Sequence, residues 1–171
     1  MAHIALAMYE RRFSRWMTWA DRDASAQSRQ PGVYVIAVTA TSIRGRKFSW
    51  RRDIIYVGMT NSLNGLRGRL RQFDQTMSGS LRHGGADRVR VRHRDYTRFT
   101  KQAYVALAPF SCTPGSTLPR DLKVMGEVAR FEYLCLAAYA DKFDRLPEFN
   151  NRKTPKHSRT RRKSRSARRA T

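Results

Sequence analysis

Acidic residues are scarce in this chain. Thirteen Asp and Glu stand against 35 Lys and Arg, for a formal charge of +22 over 171 residues. A surplus of that size repels itself unless a polyanion screens it, so DNA, RNA or an anionic membrane is the expected partner. Long apolar runs are missing as well. No stretch of about 18 apolar residues occurs, which makes a spanning helix unexpected and the membrane the weakest of the three. The first residues do not follow the order of basic start, apolar core and small-residue cleavage site that a signal peptide needs. An intracellular protein, in cytoplasm or nucleoid, is therefore expected. Cysteine is down to two residues, Cys112 and Cys135, too far apart in sequence to form a metal knuckle by themselves. A loop thiol and a buried helix thiol without special chemistry are expected.

What the chain does have is arginine, unevenly spread. Residues 152–171 hold ten of the 35 basic residues and no acid, which leaves 25 basic residues against 13 acids, or +12, in residues 1–151. The body is thus basic in its own right. The tail has no aliphatic side chain larger than Ala, so it cannot bury enough surface to offset its ordering entropy and is expected to be disordered when free. It reads as a non-specific phosphate-binding arm, with Arg161, Arg162 and Lys163 at its centre. Hydrophobic residues make up 40% of the chain, enough for one modest core.

Periodicity gives the elements. Ile4, Met8, Phe13, Trp16, Met17 and Trp19 suggest an amphipathic N-terminal helix, with the two tryptophans as core residues. Residues 32–40, dense in Val, Ile and Tyr after Pro31, read as a strand, and residues 53–58 as a second one paired antiparallel with it. Between them lies a basic connection with Arg46, Lys47 and Arg51. Leu66, Leu70 and Phe73 recur at helical spacing, with Arg67, Arg69 and Arg71 alternating around that helix. Residues 79–87 read as a loop, residues 101–110 as a third strand, and residues 121–143 as the longest helix, ended by Pro147. The expected fold is α+β: a small three-stranded antiparallel sheet flanked by helices. The expected divisions are an N-terminal helical extension (1–30), a central α+β domain (31–151) and the basic tail (152–171).

Alternation along strands places Gly32 and Tyr34 on one face, and Tyr56 and Gly58 on one face. Paired strands would bring both phenols to one place beside glycines that let a phosphate approach closely. Around this pair the sequence resembles the GIY-YIG nuclease family. Gly32-Val33-Tyr34 stands where the family has Gly-Ile-Tyr, and Tyr56-Val57-Gly58 where it has Tyr-Ile-Gly. Leu66-Arg67-Gly68-Arg69-Leu70 is similar to the family's Arg-bearing helix. Phe131-Glu132-Tyr133-Leu134 is similar to its Glu-bearing helix, and Leu146-Pro147-Glu148-Phe149-Asn150 to its closing Pro-x-x-Asn. Each motif is short, but the five occur in the family's order.

The resemblance implies a metal-dependent endonuclease, acting on DNA in preference to RNA. Glu132 would ligate one Mg²⁺ or Mn²⁺, and Arg69 would hold a non-bridging phosphate oxygen. Tyr34 and Tyr56 would orient or deprotonate the attacking water, and Asn150 would hold geometry. Arg67 rivals Arg69, Glu127 rivals Glu132, and Asn151 adjoins Asn150. One departure stands out: where the family has His or Tyr one turn after the helix Arg, this chain has Phe73, which cannot transfer a proton. His83, in the expected loop, is the candidate to supply an imidazole instead. Arg46, Lys47, Arg51, Arg67 and Arg71 join the tail as candidate nucleic-acid contacts. The alternative is a catalytically inactive DNA- or RNA-binding protein on the same scaffold.

Overall fold

The computed structural model of the chain describes residue 10, residues 12–80 and residues 84–151. Its centre is an antiparallel sheet of four strands, β1 (Met17–Thr18), β2 (Gly32–Val38), β3 (Ile54–Thr60) and β4 (Ala103–Pro109), in the spatial order β1-β4-β2-β3. Four helices surround it among the described residues: α1 (Gly65–Ser78), α2 (Gly84–Arg92), α3 (Tyr96–Gln102) and α4 (Pro119–Phe143). No helix among the described residues is long and apolar enough to cross a membrane. The α+β class is as expected, with one strand more than the sequence reading placed.

That extra strand corrects the N-terminal expectation. Ile4 and Met8 lie outside the described residues. Met17 and Thr18, however, pair with Val105 and Tyr104 of β4 and are not helical. The tryptophans explain why. Three residues apart on a helix they would share a face, but Trp16 packs into one apolar layer and Trp19 into the other. Both are buried, as expected of core residues.

The sheet separates these two layers by strand alternation. Val33, Val35, Ala37 and Val57 face α4, whose Val128, Phe131, Cys135 and Ala138 supply the apolar stripe, together with Phe48 and Trp50 from the β2–β3 connection. Tyr34, Ile36, Tyr56, Val105 and Leu107 face the opposite way, against Leu66, Leu70 and Phe73 of α1, Ala86 and Val89 of α2, and Phe99 of α3.

Helix α2 is a second correction, since residues 79–87 were expected to be a loop, whereas α3 lies mostly in residues 88–100, to which no element was assigned. Gly84-Gly85 reads as a helix breaker, yet it opens α2. A Cβ at Gly85 would run into the Tyr56 hydroxyl, so glycine is what lets this helix close on the sheet, and tertiary packing overrides its low propensity. Helix α3 is capped by the Asp95 carboxylate, which accepts the Arg98 backbone N–H at 2.9 Å, a start signal of the ordinary kind.

Strand β3 is the outer strand on its side, and its free edge is covered by side chains. The Asn150 amide meets Val57 twice: Oδ1 accepts its N–H at 2.8 Å, and Nδ2 donates to its carbonyl at 2.7 Å. Next along the same edge, the Glu132 carboxylate accepts the Met59 N–H. The Tyr139 hydroxyl lies 3.2 Å from the Ile54 carbonyl, further back. Covering an edge in this way removes the row of unpaired amides that would otherwise pair with another chain.

Candidate active site

Tyr34 sits opposite Gly58 in the β2–β3 register, and Tyr56 opposite Ile36. The two rings are therefore diagonal neighbours on one face, with centroids 5.9 Å apart. They close over Gly58. A Cβ there would lie 2.7 Å from the Tyr34 Cζ and hydroxyl and 2.7 Å from Tyr56 Cε1, far inside van der Waals contact. The glycine of the second motif is thus a requirement of ring packing.

Tyr34 is fully buried, and Tyr56 is 9% exposed. The Tyr34 hydroxyl is enclosed beside Arg69 and the Tyr56 hydroxyl, without a well-formed hydrogen bond to either. Burial pushes its phenol well above the usual tyrosine range, and the neighbouring Tyr56 adds to this, while the Arg69 charge opposes it. Tyr56 is raised for the same first reason. Arg69 and, more weakly, Arg88 pull it down, and Glu132 pushes it up. Both phenols are consequently protonated at neutral pH.

Arg69 and Glu132 are half-buried and complete the cluster from two different elements. Arg69 leaves α1 toward the tyrosines, its Nε enclosed and without a hydrogen-bond partner. Glu132 comes from α4 on the other side of the sheet and reaches round the edge of β3, where its carboxylate is fixed by the Met59 N–H. Burial raises the Glu132 carboxyl above its ordinary range, and both the Arg69 charge and the Met59 bond work against that rise. The carboxylate, the guanidinium and the phenols meet because β3 is an edge strand with no further strand beyond it and no side chain at Gly58.

The rivals sort themselves by position. Arg67 lies about 160° around α1 from Arg69, on the solvent side, with its Nε 3.9 Å from the Asp23 carboxylate. Glu127 is exposed and paired with Arg130 at 3.1 Å. Asn150 makes the two bonds to Val57, so the Pro-x-x-Asn spacing singles out the residue that holds the strand. Arg51 is engaged by Asp53 through two bonds of 2.8 and 2.7 Å, which offsets its charge. Arg46 and Lys47 are exposed on the connection that packs into the α4-side layer, away from the tyrosines. Arg71 is exposed on α1. His83, Arg161, Arg162 and Lys163 lie outside the described residues.

Two further residues complete the cluster, one expected on the apolar face of α1 and one not. Phe73 is fully buried against the Tyr56 ring, with centroids 5.8 Å apart, and against Trp19 at 5.7 Å. It closes the apolar side of the cluster. Arg88, one turn past Gly85 on α2, adds a second cation near Tyr56, and its Nε is enclosed with no hydrogen-bond partner. The only sequence signal for it was a basic residue three positions after a Gly-Gly, which carries little weight until α2 is known to be a helix.

Comparison with known proteins gives no match. No family model, curated protein or solved structure matches this chain. The chemistry of the cluster has to be argued from its own residues. Among those described, no three or more His, Cys, Asp and Glu side chains come together to hold a metal. Among the described residues, Glu132 is the carboxylate that acts on the tyrosine pair. A single carboxylate with one oxygen already on a backbone amide suits a hard divalent cation that keeps most of its waters and takes further oxygens from a phosphate. It does not suit zinc, which wants several nitrogen or sulfur ligands. The enclosed, unpartnered Tyr34 hydroxyl and Arg69 Nε are polar groups that an anionic oxygen or a water between them would satisfy.

Proposed function

We propose that the chain is a metal-dependent endonuclease of the GIY-YIG type, hydrolysing phosphodiester bonds of nucleic acid, with DNA preferred. The observation that carries this reading is the meeting of Tyr34, Tyr56, Arg69 and Glu132 at the edge of β3, with Asn150 fixing that edge. Four residues from four separate motifs, on both sides of the sheet, converge on one place. A binding protein has no need of that arrangement. A carboxylate among cations would repel phosphate unless a cation joined it.

In this mechanism the scissile phosphate lies at the half-exposed mouth between Arg69 and Glu132. Arg69 donates hydrogen bonds to a non-bridging oxygen, and these bonds strengthen as negative charge builds there in the phosphorane. The protonated Tyr34 and Tyr56 hydroxyls hold the attacking water in line. The water oxygen bonds to phosphorus and the bond from phosphorus to the leaving sugar oxygen breaks, the water's proton passing to solvent and the leaving oxygen taking one from solvent. A Mg²⁺ or Mn²⁺ ion held by Glu132 would supply neutralisation of the charge that builds on the leaving oxygen. Arg88 adds positive charge beside Tyr56, favouring whatever partial phenolate character develops there.

A second reading, a nucleic-acid-binding protein on this scaffold without catalysis, is favoured by Phe73, which stands where a proton-transferring side chain would help and is sealed into the core. A panel of supercoiled plasmid, linear duplex, single-stranded DNA and RNA, incubated with the full chain and Mg²⁺ or Mn²⁺, separates the two. Turnover on any of them that stops on chelation supports the nuclease. Binding of all of them with cleavage of none supports the second reading.

A further inference from the structure

Along the face of α1 that carries Asn64, Arg67, Gly68 and Arg71 lies a cavity of about 560 Å³. It falls within the ~300–1,000 Å³ typical of ligand sites. Arg29, Arg67 and Arg71 line it together with Asn64, Gln72 and Leu63, and no carboxylate does among the described residues. Its walls are held by backbone contacts. The Leu66 N–H donates to the Gln30 carbonyl at 2.9 Å, and Gly65, at φ +57°, has no Cβ to collide with the Arg29 carbonyl. The start of α1 is thereby seated directly on the short 3-10 turn Ala26–Arg29.

Two further observations bear on what enters. Arg67 Nε is closed off from solvent and has no hydrogen-bond partner, the Asp23 carboxylate being 3.9 Å away. Leu63 is 76% exposed, an apolar side chain set beside three guanidinium groups. Planar guanidiniums in a fixed arrangement match phosphate oxygens. An apolar tip among them suits the sugar or base face of a nucleotide, and the Asn64 and Gln72 amides can meet base edges.

We infer that this cavity is a second nucleic-acid site, in which Arg29, Arg67 and Arg71 take phosphates of a strand running away from the tyrosine cluster and Leu63 packs on its sugar or base. It rests on the nucleic-acid half of the proposed function and is independent of the nuclease half. Because Arg67 and Arg71 leave α1 about 160° around the helix from Arg69, one strand cannot present the same phosphate to both. The cavity therefore adds its own contacts to those at the cluster.

The test is fluorescence anisotropy of the full chain with labelled single-stranded and duplex DNA, in EDTA, over a range of salt. Each phosphate contact contributes about 0.7 to 0.9 to the slope of log affinity against log salt. The triple substitution Arg29→Gln, Arg67→Gln, Arg71→Gln is expected to weaken binding at least about tenfold at physiological salt and to flatten the slope by about two to three. The Lys versions at the same positions should restore most of the slope. Leu63→Ala should weaken single-strand binding with the slope unchanged, since an apolar contact releases no counterions. A triple Gln variant that binds with wild-type affinity and slope overturns the inference and leaves the proposed function standing. Failure of the wild-type chain to bind either DNA overturns both. A flattened slope in a chain that cleaves nothing with Mg²⁺ supports the cavity while removing the nuclease.

Discussion

At the residue scale, the tyrosines and the glutamate are placed where stability alone would not put them. The Tyr34 hydroxyl is enclosed without a hydrogen bond of good geometry, a condition that costs about 1–3 kcal/mol for a buried polar group. Tyr34→Phe is therefore expected to leave stability unchanged or raise it by up to about 1 kcal/mol, measured by denaturant unfolding. The same substitution should cut the cleavage rate by about a hundredfold or more. A core tyrosine with no chemical role would give the first result without the second. Glu132 makes the same point through pH. Its carboxyl is raised in the folded chain, so the folded state holds the proton more tightly than the unfolded one. That contributes stability that is full below the ordinary glutamate range and is lost as pH rises through the raised value. In EDTA, Glu132→Gln should thus melt higher than wild type at pH 7, and the gap should close once the pH falls below the usual carboxylate range. A constant gap at every pH would mean that charge at Glu132 is not the destabilising feature.

At the element scale, the outer edge of β3 holds the site together. Asn150 replaces the missing neighbour strand at Val57 with one donor and one acceptor. Asn150→Ala strips both bonds and should cost about 1–3 kcal/mol, with faster hydrogen exchange at the Val57 amide than at the interior amides of β2. The elements that the sequence revealed are those whose pattern is set by their own residues. Strands β2 and β3 and helices α1 and α4 carry long periodic apolar runs, and the pairing that brings Tyr34 and Tyr56 together follows from alternation. What escaped was decided by contacts between distant segments. Helix α2 carries glycine at Gly85 because Tyr56 leaves no room for a Cβ there, while Gly84 before it meets nothing. Trp16 and Trp19 diverge to opposite layers because a two-residue strand, too short to show a period, joins β4. Arg88 could not be seen as a site residue until the helix carrying it was known. Asp95 at the start of α3 was a readable cap in a stretch to which no element was assigned.

At the scale of the whole molecule, the sheet separates a layer built on α4 from one built on α1, α2 and α3, and the candidate site lies where the two meet round an open edge. The +22 charge then acts as a field over the whole chain. Residues 152–171, with ten basic residues, are expected to supply part of the affinity. Removing them should weaken DNA binding at moderate salt and flatten its salt dependence, read by anisotropy on the full and shortened chains. Equal slopes in the two would show that the tail takes no part. The measurement that tests the central claim most directly sets plasmid cleavage against DNA binding for wild type and Glu132→Gln, with Mg²⁺, Mn²⁺ and EDTA. The account predicts nicking or linearisation by wild type only when the divalent ion is present, none by Glu132→Gln, and binding by the variant that equals or exceeds wild type because a negative charge has left the phosphate site. Cleavage by Glu132→Gln at the wild-type rate, or cleavage that persists in EDTA, would contradict it.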